Sequence, residues 1–211
     1  MERWTSSLEG VGLNPKFWQG KTVLVTGHTG FKGGWLSLWL QSLGAKVVGY
    51  SLPAPTEPSL FEVAYVANQM TSLTGDIRDL ENLKSVIEHH RPEIIFHLAA
   101  QSLVRHSYNH PVETYTTNVI GTVNVLEACR SSKNLRVLTI VTSDKCYENN
   151  EELTGYSEDN PMGGDDPYSN SKGCAELVVS AYRNSFFPIR EYAHHGVSIS
   201  TVRAGNVIGG G

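Results

Sequence analysis

Three evenly spaced glycines near the start of the chain separate a strand pattern from a helix pattern. Residues 23–25 form a short, largely β-branched apolar run that is typical of a buried parallel strand. Trp and Leu recur at helical spacing over 35–43, and Gly27, Gly30 and Gly33 lie between the two patterns. Such glycines let the backbone approach a pyrophosphate, and the new helix offers the anion free N–H groups. The stretch predicts a strand, a dinucleotide-binding turn and a helix.

The glycine spacing alone also fits a tight turn that binds nothing, because the chain has 20 glycines among 211 residues. His28 and Lys32 add positive charge to the loop, which favours a bound diphosphate. We expect these residues of the turn to bind a cofactor: Gly27, His28, Gly30, Phe31, Lys32 and Gly33.

Strand and helix patterns alternate along the rest of the chain. Strands are predicted at 23–25, 46–50, 70–74, 94–98, 137–141 and 198–202. Helices are predicted at 35–43, 80–90, 111–131 and 167–184, with Asp79 as the cap of the second. This alternation predicts an α/β fold with a doubly wound parallel sheet of the Rossmann type. Its ligand crevice should lie at the carboxyl ends of the first and fourth strands, where the strand order reverses.

The predicted sheet suggests how the chain is divided. Residues 1–20 form an irregular lead-in, with Phe17 and Trp18 packed on the first strand, and residues 21–211 form the Rossmann domain. Because the chain stops directly after an apolar strand, we expect it to be the amino-terminal portion of a longer protein, with a carboxyl-terminal substrate domain missing.

Charge and cysteine content exclude several classes of protein. A net charge of −4 and a pI of about 6.1 argue against nucleic-acid or membrane-surface binding. Three widely spaced cysteines predict reduced thiols and a cytoplasmic location. The adjacent pairs His89-His90 and His194-His195 are expected on the surface because neighbours on a helix cannot face one ion. No metal site is predicted.

A tyrosine and a lysine four residues apart are the first candidates for chemistry. Tyr168 and Lys172 share one helix face if 167–184 is helical. An ammonium near a phenol favours phenolate, so we expect the pKa of Tyr168 to be lowered enough for it to act as a base. The alternative is an exposed pair on a solvated face.

Polar residues follow the fifth and sixth strands. Ser143, Asp144 and Lys145 gather a hydroxyl, a carboxyl and an amine at the mouth of the sheet, although Ser143 and Asp144 could instead cap backbone groups. Asn206 could offer an amide to a sugar or phosphate, or only bond within its loop. His97 is expected to be a satisfied core histidine.

The second strand lacks the usual marker of cofactor choice. A Rossmann unit often places an acidic residue there for the adenosine ribose, whereas 51–53 reads Ser-Leu-Pro, so this position does not separate NAD from NADP. Small residues at Ala99 and Ala100 would let the backbone pass close to a cofactor.

Taken in order, these motifs resemble the extended short-chain dehydrogenase/reductases, or NAD-dependent epimerases/dehydratases, over most of residues 20–211. The stretches 17–21, 26–33, 142–147 and 203–211 are similar to those of the nucleotide-sugar 4,6-dehydratases that act on CDP-glucose. The resemblance implies NAD as cofactor and CDP-glucose as substrate. Besides the residues of the turn, it implies that the following residues bind the cofactor: Asp76, Ile77, Leu98, Ala99, Ala100, Thr142, Tyr168 and Lys172. It implies Ser143, Arg203 and Asn206 as substrate-binding residues.

The resemblance also implies roles for five catalytic residues. Tyr168 removes the proton of the sugar 4-hydroxyl while NAD takes the C4 hydride, and Lys172 holds the nicotinamide ribose. Ser143 hydrogen-bonds the 4-oxygen, and Asp144 protonates the hydroxyl that leaves from C6. Related enzymes for dTDP-glucose carry a glutamate as the C5 base where this chain has Lys145. Either Lys145 is buried beside Lys172 and acts as a neutral base, or it stays charged and stabilises the enolate.

Two other functions fit the same scaffold. A nucleotide-sugar 4-epimerase needs Tyr168 and Ser143 but no acid–base pair for water loss. A nucleotide-binding domain without turnover does not need Ser143, Tyr168 and Lys172 together, so the presence of all three argues against it. The resemblance implies a homodimer or higher oligomer through the helices at 111–131 and 167–184. We expect residues 1–211 alone to bind NAD but to turn over CDP-glucose poorly.

Overall fold

The structure is a computed structural model that describes residues 14–150 and 155–210. It contains one six-stranded sheet in the order β3-β2-β1-β4-β5-β6, with every neighbouring pair parallel. The strands are β1 (Thr22–Thr26), β2 (Lys46–Ser51), β3 (Thr71–Thr74), β4 (Ile94–His97), β5 (Val137–Val141) and β6 (Ser198–Val202). This confirms the predicted doubly wound, Rossmann-type sheet. The strand order reverses between β1 and β4, so the crevice lies there.

Helices connect the strands as the sequence predicts, with several short ones added. They are α1 (Pro15–Trp18), α2 (Phe31–Ser42), α3 (Leu60–Val63), α4 (Leu80–His90), α5 (Val104–Asn109), α6 (Pro111–Tyr115), α7 (Gly121–Arg130), α8 (Pro167–Phe186) and α9 (Tyr192–His195). Asp79 caps α4 as expected, because its carboxylate accepts a 3.1 Å hydrogen bond from the Asn82 amide. In the described ranges, every helix is too short or too polar to cross a bilayer.

The helix predicted at 111–131 is interrupted by one wide turn. The π-helical turn Thr116–Ile120 joins α6 to α7. It contains Asn118, which is 2% exposed and binds both backbone groups of Gln101 at 2.8 and 2.9 Å. Its amide also donates to Ser171 Oγ at 2.8 Å. Asn118 thereby joins the loop after β4 to α8, a long-range contact that helical spacing does not reveal.

The two faces of the sheet bury separate apolar clusters. Side chains alternate along a strand, so Leu24 packs towards α4 and α7 while Val23 and Val25 pack towards α2. Trp18 packs on the second cluster, as predicted, whereas Phe17 is 49% exposed and contacts the edge of Trp18 instead. Residues 1–13 of the predicted lead-in lie outside the described residues.

Candidate functional site

Backbone contacts explain two of the three glycines in the first turn. Gly27 has φ +78°, and a Cβ there would lie 2.7 Å from the Ala99 amide nitrogen. A Cβ at Gly33 would overlap the carbonyl oxygen of Gly27. Thr26 Oγ1 accepts the backbone N–H groups of Leu98 and Ala99 at 3.2 Å each. The glycine turn and the loop after β4 are therefore pressed together at the mouth of the crevice.

The start of α2 presents its backbone amides without a side-chain cap. Gly30 is the N-cap and contributes no capping side chain, while Phe31 and Lys32 occupy the first turn. A helix end of this kind offers N–H groups and a positive dipole end to an anion. Burial lowers the pKa of Lys32.

The expectation that His28 contributes positive charge is wrong. Its side chain is fully buried, and its Nε2 lies 2.7 Å from Ser72 Oγ. The ring occupies the space that a side chain at Gly49 would fill. Burial lowers the pKa of His28 to about 4, so the imidazole is neutral at physiological pH.

The end of β2 is bonded to the glycine turn, and the residues that follow β3 are bonded to each other. Thr29 Oγ1 lies 2.8 Å from Ser51 Oγ and donates to the Leu52 carbonyl at 2.9 Å, which ties the glycine turn to the end of β2. The Asp76 carboxylate accepts from the guanidinium of Arg78, and these hydrogen bonds lower the pKa of Asp76. Ile77 is 4% exposed, so its side chain belongs to the core.

Tyr168 and Lys172 are both buried at the beginning of α8. The Asp166 carboxylate caps this helix by accepting the N–H groups of Tyr168 and Ser169 at 3.0 Å each, and Pro167 follows it. Tyr168 is 9% and Lys172 6% exposed, and Lys172 Nζ lies 6.0 Å from the centre of the phenol ring. The alternative of an exposed pair on a solvated face is excluded.

The pKa of Tyr168 shifts in the direction opposite to the prediction. Burial raises it, Asp144 and Asp166 raise it further, and only a hydrogen bond with Ser143 lowers it. Burial and the nearby Lys32 lower the pKa of Lys172 to about 8, against the opposing effect of Glu176. Desolvation of the phenolate therefore outweighs any attraction to Lys172 in the protein alone.

Ser143, Asp144 and Lys145 lie together, but in different surroundings. Ser143 Oγ donates to Asp144 Oδ1 at 3.0 Å and accepts the Lys145 amide at 3.2 Å, so it does cap a short turn as well as contact Tyr168. The side chains of Asp144 and Lys145 are 51% and 42% exposed and form a 3.6 Å ion pair. Of the two alternatives for Lys145, burial beside Lys172 does not hold in the structure.

A buried ion pair that the sequence analysis missed anchors this segment. Glu176 is 6% exposed and accepts hydrogen bonds from Thr142 Oγ1 at 2.5 Å, Thr201 Oγ1 at 2.9 Å and Arg203. Arg203 approaches with Nε and Nη2 at 3.0 Å each, and its Nη1 donates to Tyr147 Oη at 2.7 Å. Burial raises the pKa of Glu176, but these hydrogen bonds outweigh it and the net shift is downward.

The guanidinium of Arg203, which was predicted to bind substrate, thus forms its ion pair with Glu176 inside the protein. Asn206 is exposed in the segment that follows β6. The signal for Glu176 was present in the sequence, because it stands four residues after Lys172 and eight after Tyr168 on the same helix face.

Comparison with known proteins places the chain in a family. The family model described as GDP-mannose 4,6 dehydratase matches residues 24–190. The chain belongs to this family. The GDP-mannose 4,6-dehydratase family is a branch of the extended short-chain dehydrogenase/reductases.

Individual members of that family and its neighbours are similar over most of the chain. A CDP-glucose 4,6-dehydratase of Salmonella typhimurium strain LT2 is 60% identical over 199 residues, which are 94% of this chain and 55% of that enzyme. A UDP-glucose 4-epimerase of Mycolicibacterium smegmatis is 32% identical over 164 residues, covering 78% and 52%. The solved structure of MoeE5 in complex with UDP-glucose and NAD superposes with a TM-score of 0.68 at 26% identity, covering 86% and 54%. The chain spans about half the length of these relatives.

In this member of the family, two buried histidines predict loss of stability in acid. His97 is 3% exposed, with Nδ1 2.7 Å from Thr26 Oγ1 and Nε2 3.3 Å from Thr122 Oγ1, as expected of a satisfied core histidine. Burial lowers its pKa to about 3, and that of His28 to about 4. The unfolded chain binds these protons near pH 6.5 and the folded chain does not, so the free energy of unfolding falls as pH drops below about 6.5. We expect a loss of about 2 kcal/mol per histidine by about pH 5.

Urea denaturation between neutral and acidic pH measures this loss. His28→Asn and His97→Asn should each flatten the pH dependence of the free energy of unfolding, whereas His89→Asn, on an exposed histidine, should leave it unchanged. A pH dependence that is the same in all three variants would show that other groups cause the acid lability.

Proposed function

We propose that the protein is a cytoplasmic CDP-glucose 4,6-dehydratase that uses NAD, and that residues 21–211 are its cofactor-binding domain. The observation that carries the proposal is the burial of Tyr168 and Lys172, with Ser143 in contact, at the carboxyl ends of the central strands beside the glycine turn. Support comes from the 60% identical Salmonella enzyme of that name.

The crevice offers suitable groups for a dinucleotide. Lys172 carries three N–H donors, and its one recorded hydrogen-bond partner among the described residues is the Val141 carbonyl at 3.5 Å. The remaining N–H groups of this buried ammonium can donate hydrogen bonds to the two hydroxyls of a ribose. The uncapped amides at Phe31 and Lys32, together with the bare backbone at Gly30, fit a diphosphate. NAD, when bound, supplies a hydride acceptor for C4 and a hydride donor for C6.

The side chains of the chain supply the proton transfers. Tyr168 takes the proton of the 4-hydroxyl, and Ser143 donates a hydrogen bond to the 4-oxygen as it becomes a ketone. The ketone acidifies the C5–H bond. With Lys145 charged, a water molecule takes the C5 proton and leaves an enolate; with Lys145 neutral, its amine takes that proton. Asp144 in its protonated form gives a proton to the C6 hydroxyl, which leaves as water while the enolate electrons form the C5–C6 double bond. Lys172 positions the ribose.

The position of Lys145 favours a role as a cation that stabilises the enolate, because its side chain is half exposed and paired with Asp144. Lys145→Met should slow C5 hydrogen exchange of the full-length enzyme by about 10²-fold. Lys145→Arg keeps the positive charge but cannot act as a base, so it should restore most of the exchange rate. An arginine variant as slow as the methionine variant would identify Lys145 as the C5 base, and exchange at full rate in Lys145→Met would remove it from both roles.

Two alternatives give different products. A 4-epimerase is favoured by the 32% identical epimerase, whereas the pair Asp144-Lys145 favours water loss. Full-length protein should be incubated with a panel of nucleotide-glucoses and the products weighed by mass spectrometry. We expect loss of one water, with CDP-glucose as the preferred substrate. A product of unchanged mass would establish epimerisation. If no substrate gives a product, the remaining function is that of a domain that binds nucleotide without turnover.

Exposed apolar side chains support a homodimer through the helices at 111–131 and 167–184. Val112 is 75% and Ile120 50% exposed on the first of these, and Leu177 is 61% exposed on the second. A face of this kind gains stability when a second copy covers it. Sedimentation of the protein as a monomer at micromolar concentration would contradict the dimer.

A further inference from the structure

Two histidines and a glutamate meet on the surface where α5 joins α6. His106 lies in α5, His110 stands between the helices, and Glu113 lies in the first turn of α6. The rings of His106 and His110 stack with their centres 4.3 Å apart, and His106 Nε2 lies 3.0 Å from Glu113 Oε2. One possible ligand atom from each residue lies within 4.8 Å of the other two.

We propose that His106, His110 and Glu113 bind one divalent transition-metal ion of the Zn²⁺ class. Zinc-binding helices place two histidines four residues apart. His106 and His110 have this separation, and although His110 lies just past the end of α5, its ring still stacks on that of His106. Bonds of about 2.0–2.1 Å in a tetrahedral site put ligand atoms about 3.3 Å apart. Binding therefore requires the side chains to rotate from separations of up to 4.8 Å, and water takes the fourth position.

The backbone around the cluster is fixed while its side chains are accessible. The His110 amide donates to the His106 carbonyl at 2.9 Å, and the amide and hydroxyl of Thr114 each donate to the His110 carbonyl at 3.0 Å. His110 and Glu113 are exposed and His106 is half buried. An ion therefore meets three ligands whose Cα positions are already set, which limits the ordering that binding requires.

Arg78, a cation that could compete for Glu113, is already bound to Asp76. Arg78 lies close enough to Glu113 for their charges to interact, but its Nε donates to both Asp76 carboxylate oxygens at 3.0 and 2.9 Å. Two imidazoles and one carboxylate select Zn²⁺, Ni²⁺ or Cu²⁺ over Mg²⁺ and Ca²⁺, which prefer oxygen ligands. None of the three residues has a role in the proposed reaction.

Metal binding should stiffen the loop that follows β4. The side-chain amide of Gln101 in that loop donates to Thr114 Oγ1 at 2.9 Å, and Thr114 in turn binds the His110 carbonyl. An ion that ties α5 to α6 stabilises the folded chain by mass action, because the unfolded chain lacks the preformed cluster. The Tm should therefore rise with Zn²⁺ and return to its starting value with EDTA.

Titration of the EDTA-treated 211-residue chain with Zn²⁺ by calorimetry tests the site. A Cys174→Ser background removes the partly exposed thiol, which is a second possible zinc ligand. We expect one ion per chain, and His106→Asn and His110→Asn should each weaken binding by about tenfold or more. Glu113→Gln, which keeps one oxygen, should weaken it less.

A matched control lies on α4. His89 is exposed, its ring lies edge-on to that of His90, and no described carboxylate forms an ion pair with it, so His89→Asn should leave zinc affinity unchanged. Absence of saturable Zn²⁺ binding by the wild-type chain, or equal binding by the double variant His106→Asn/His110→Asn, would overturn the proposal and leave a surface ion pair between His106 and Glu113.

Discussion

Replacing Tyr168 with phenylalanine should lower kcat for CDP-glucose by about 10³-fold, the largest effect we expect from a single atom. The substitution removes the phenolic oxygen that accepts the 4-hydroxyl proton and leaves the buried ring in place. Because the ring packs as before, the Tm and the affinity for NAD should change little. Full-length protein is needed for the rate measurement, since the chain spans about half of its relatives.

A second tyrosine on the same helix provides the control. Tyr182 lies 14 residues further along α8, and its hydroxyl is 3.4 Å from Glu127 rather than in the crevice. Tyr182→Phe should turn over at nearly the wild-type rate. If Tyr168→Phe retains a rate within about tenfold of wild type, Tyr168 is not the base.

Replacing Glu176 with alanine should lower the free energy of unfolding by about 3 kcal/mol. The variant leaves the Arg203 guanidinium partly buried without its carboxylate and removes the acceptor for Thr142 and Thr201. The hydrogen bonds of Glu176 with Thr142, Thr201 and Arg203 join the ends of β5 and β6 to α8. The segment with Ser143 and Asp144 should loosen, so kcat should fall as well.

Urea denaturation of paired variants separates this network from an ordinary surface ion pair. Glu127→Ala breaks the exposed pair with Arg130 and should cost about 1 kcal/mol or less. The decrease in the free energy of unfolding for the double variant Glu176→Ala/Arg203→Ala should be smaller than the sum of the decreases for the two single variants. The reason is that the double variant leaves no unpaired charge. A loss for Glu176→Ala no larger than that for Glu127→Ala would mean that the network does not anchor the site.

Local sequence patterns were sufficient for the sheet and for the position of the crevice. Apolar runs and glycine spacing depend on residues close in the chain, so all six strands and the cap at Asp79 follow from them. The short helices α1, α3, α5 and α9 were missed because segments of four to six residues carry little periodic signal, and α1 lies in the lead-in that was predicted to be irregular.

Predictions about charge failed where burial decided the outcome. His28 is neutral because its ring fills the space over Gly49, a residue 21 positions away. The pKa of Tyr168 rises because desolvation of the phenolate outweighs its attraction to the Lys172 ammonium. Arg203 binds Glu176 inside the protein, 27 residues earlier in the chain. Each of these depends on contacts between segments that sequence spacing does not bring together.

By itself, the sequence determined where the strands and the long helices form, because periodicity and turn chemistry act over a few residues. It also determined at which edge of the sheet the strands end and which side chains lie there. Only the tertiary structure decided which of those side chains are buried, paired or free. That outcome depends on desolvation and on partners brought together by the completed sheet. It also created the cluster of His106, His110 and Glu113, whose rings and carboxylate converge only because α6 begins directly where α5 ends.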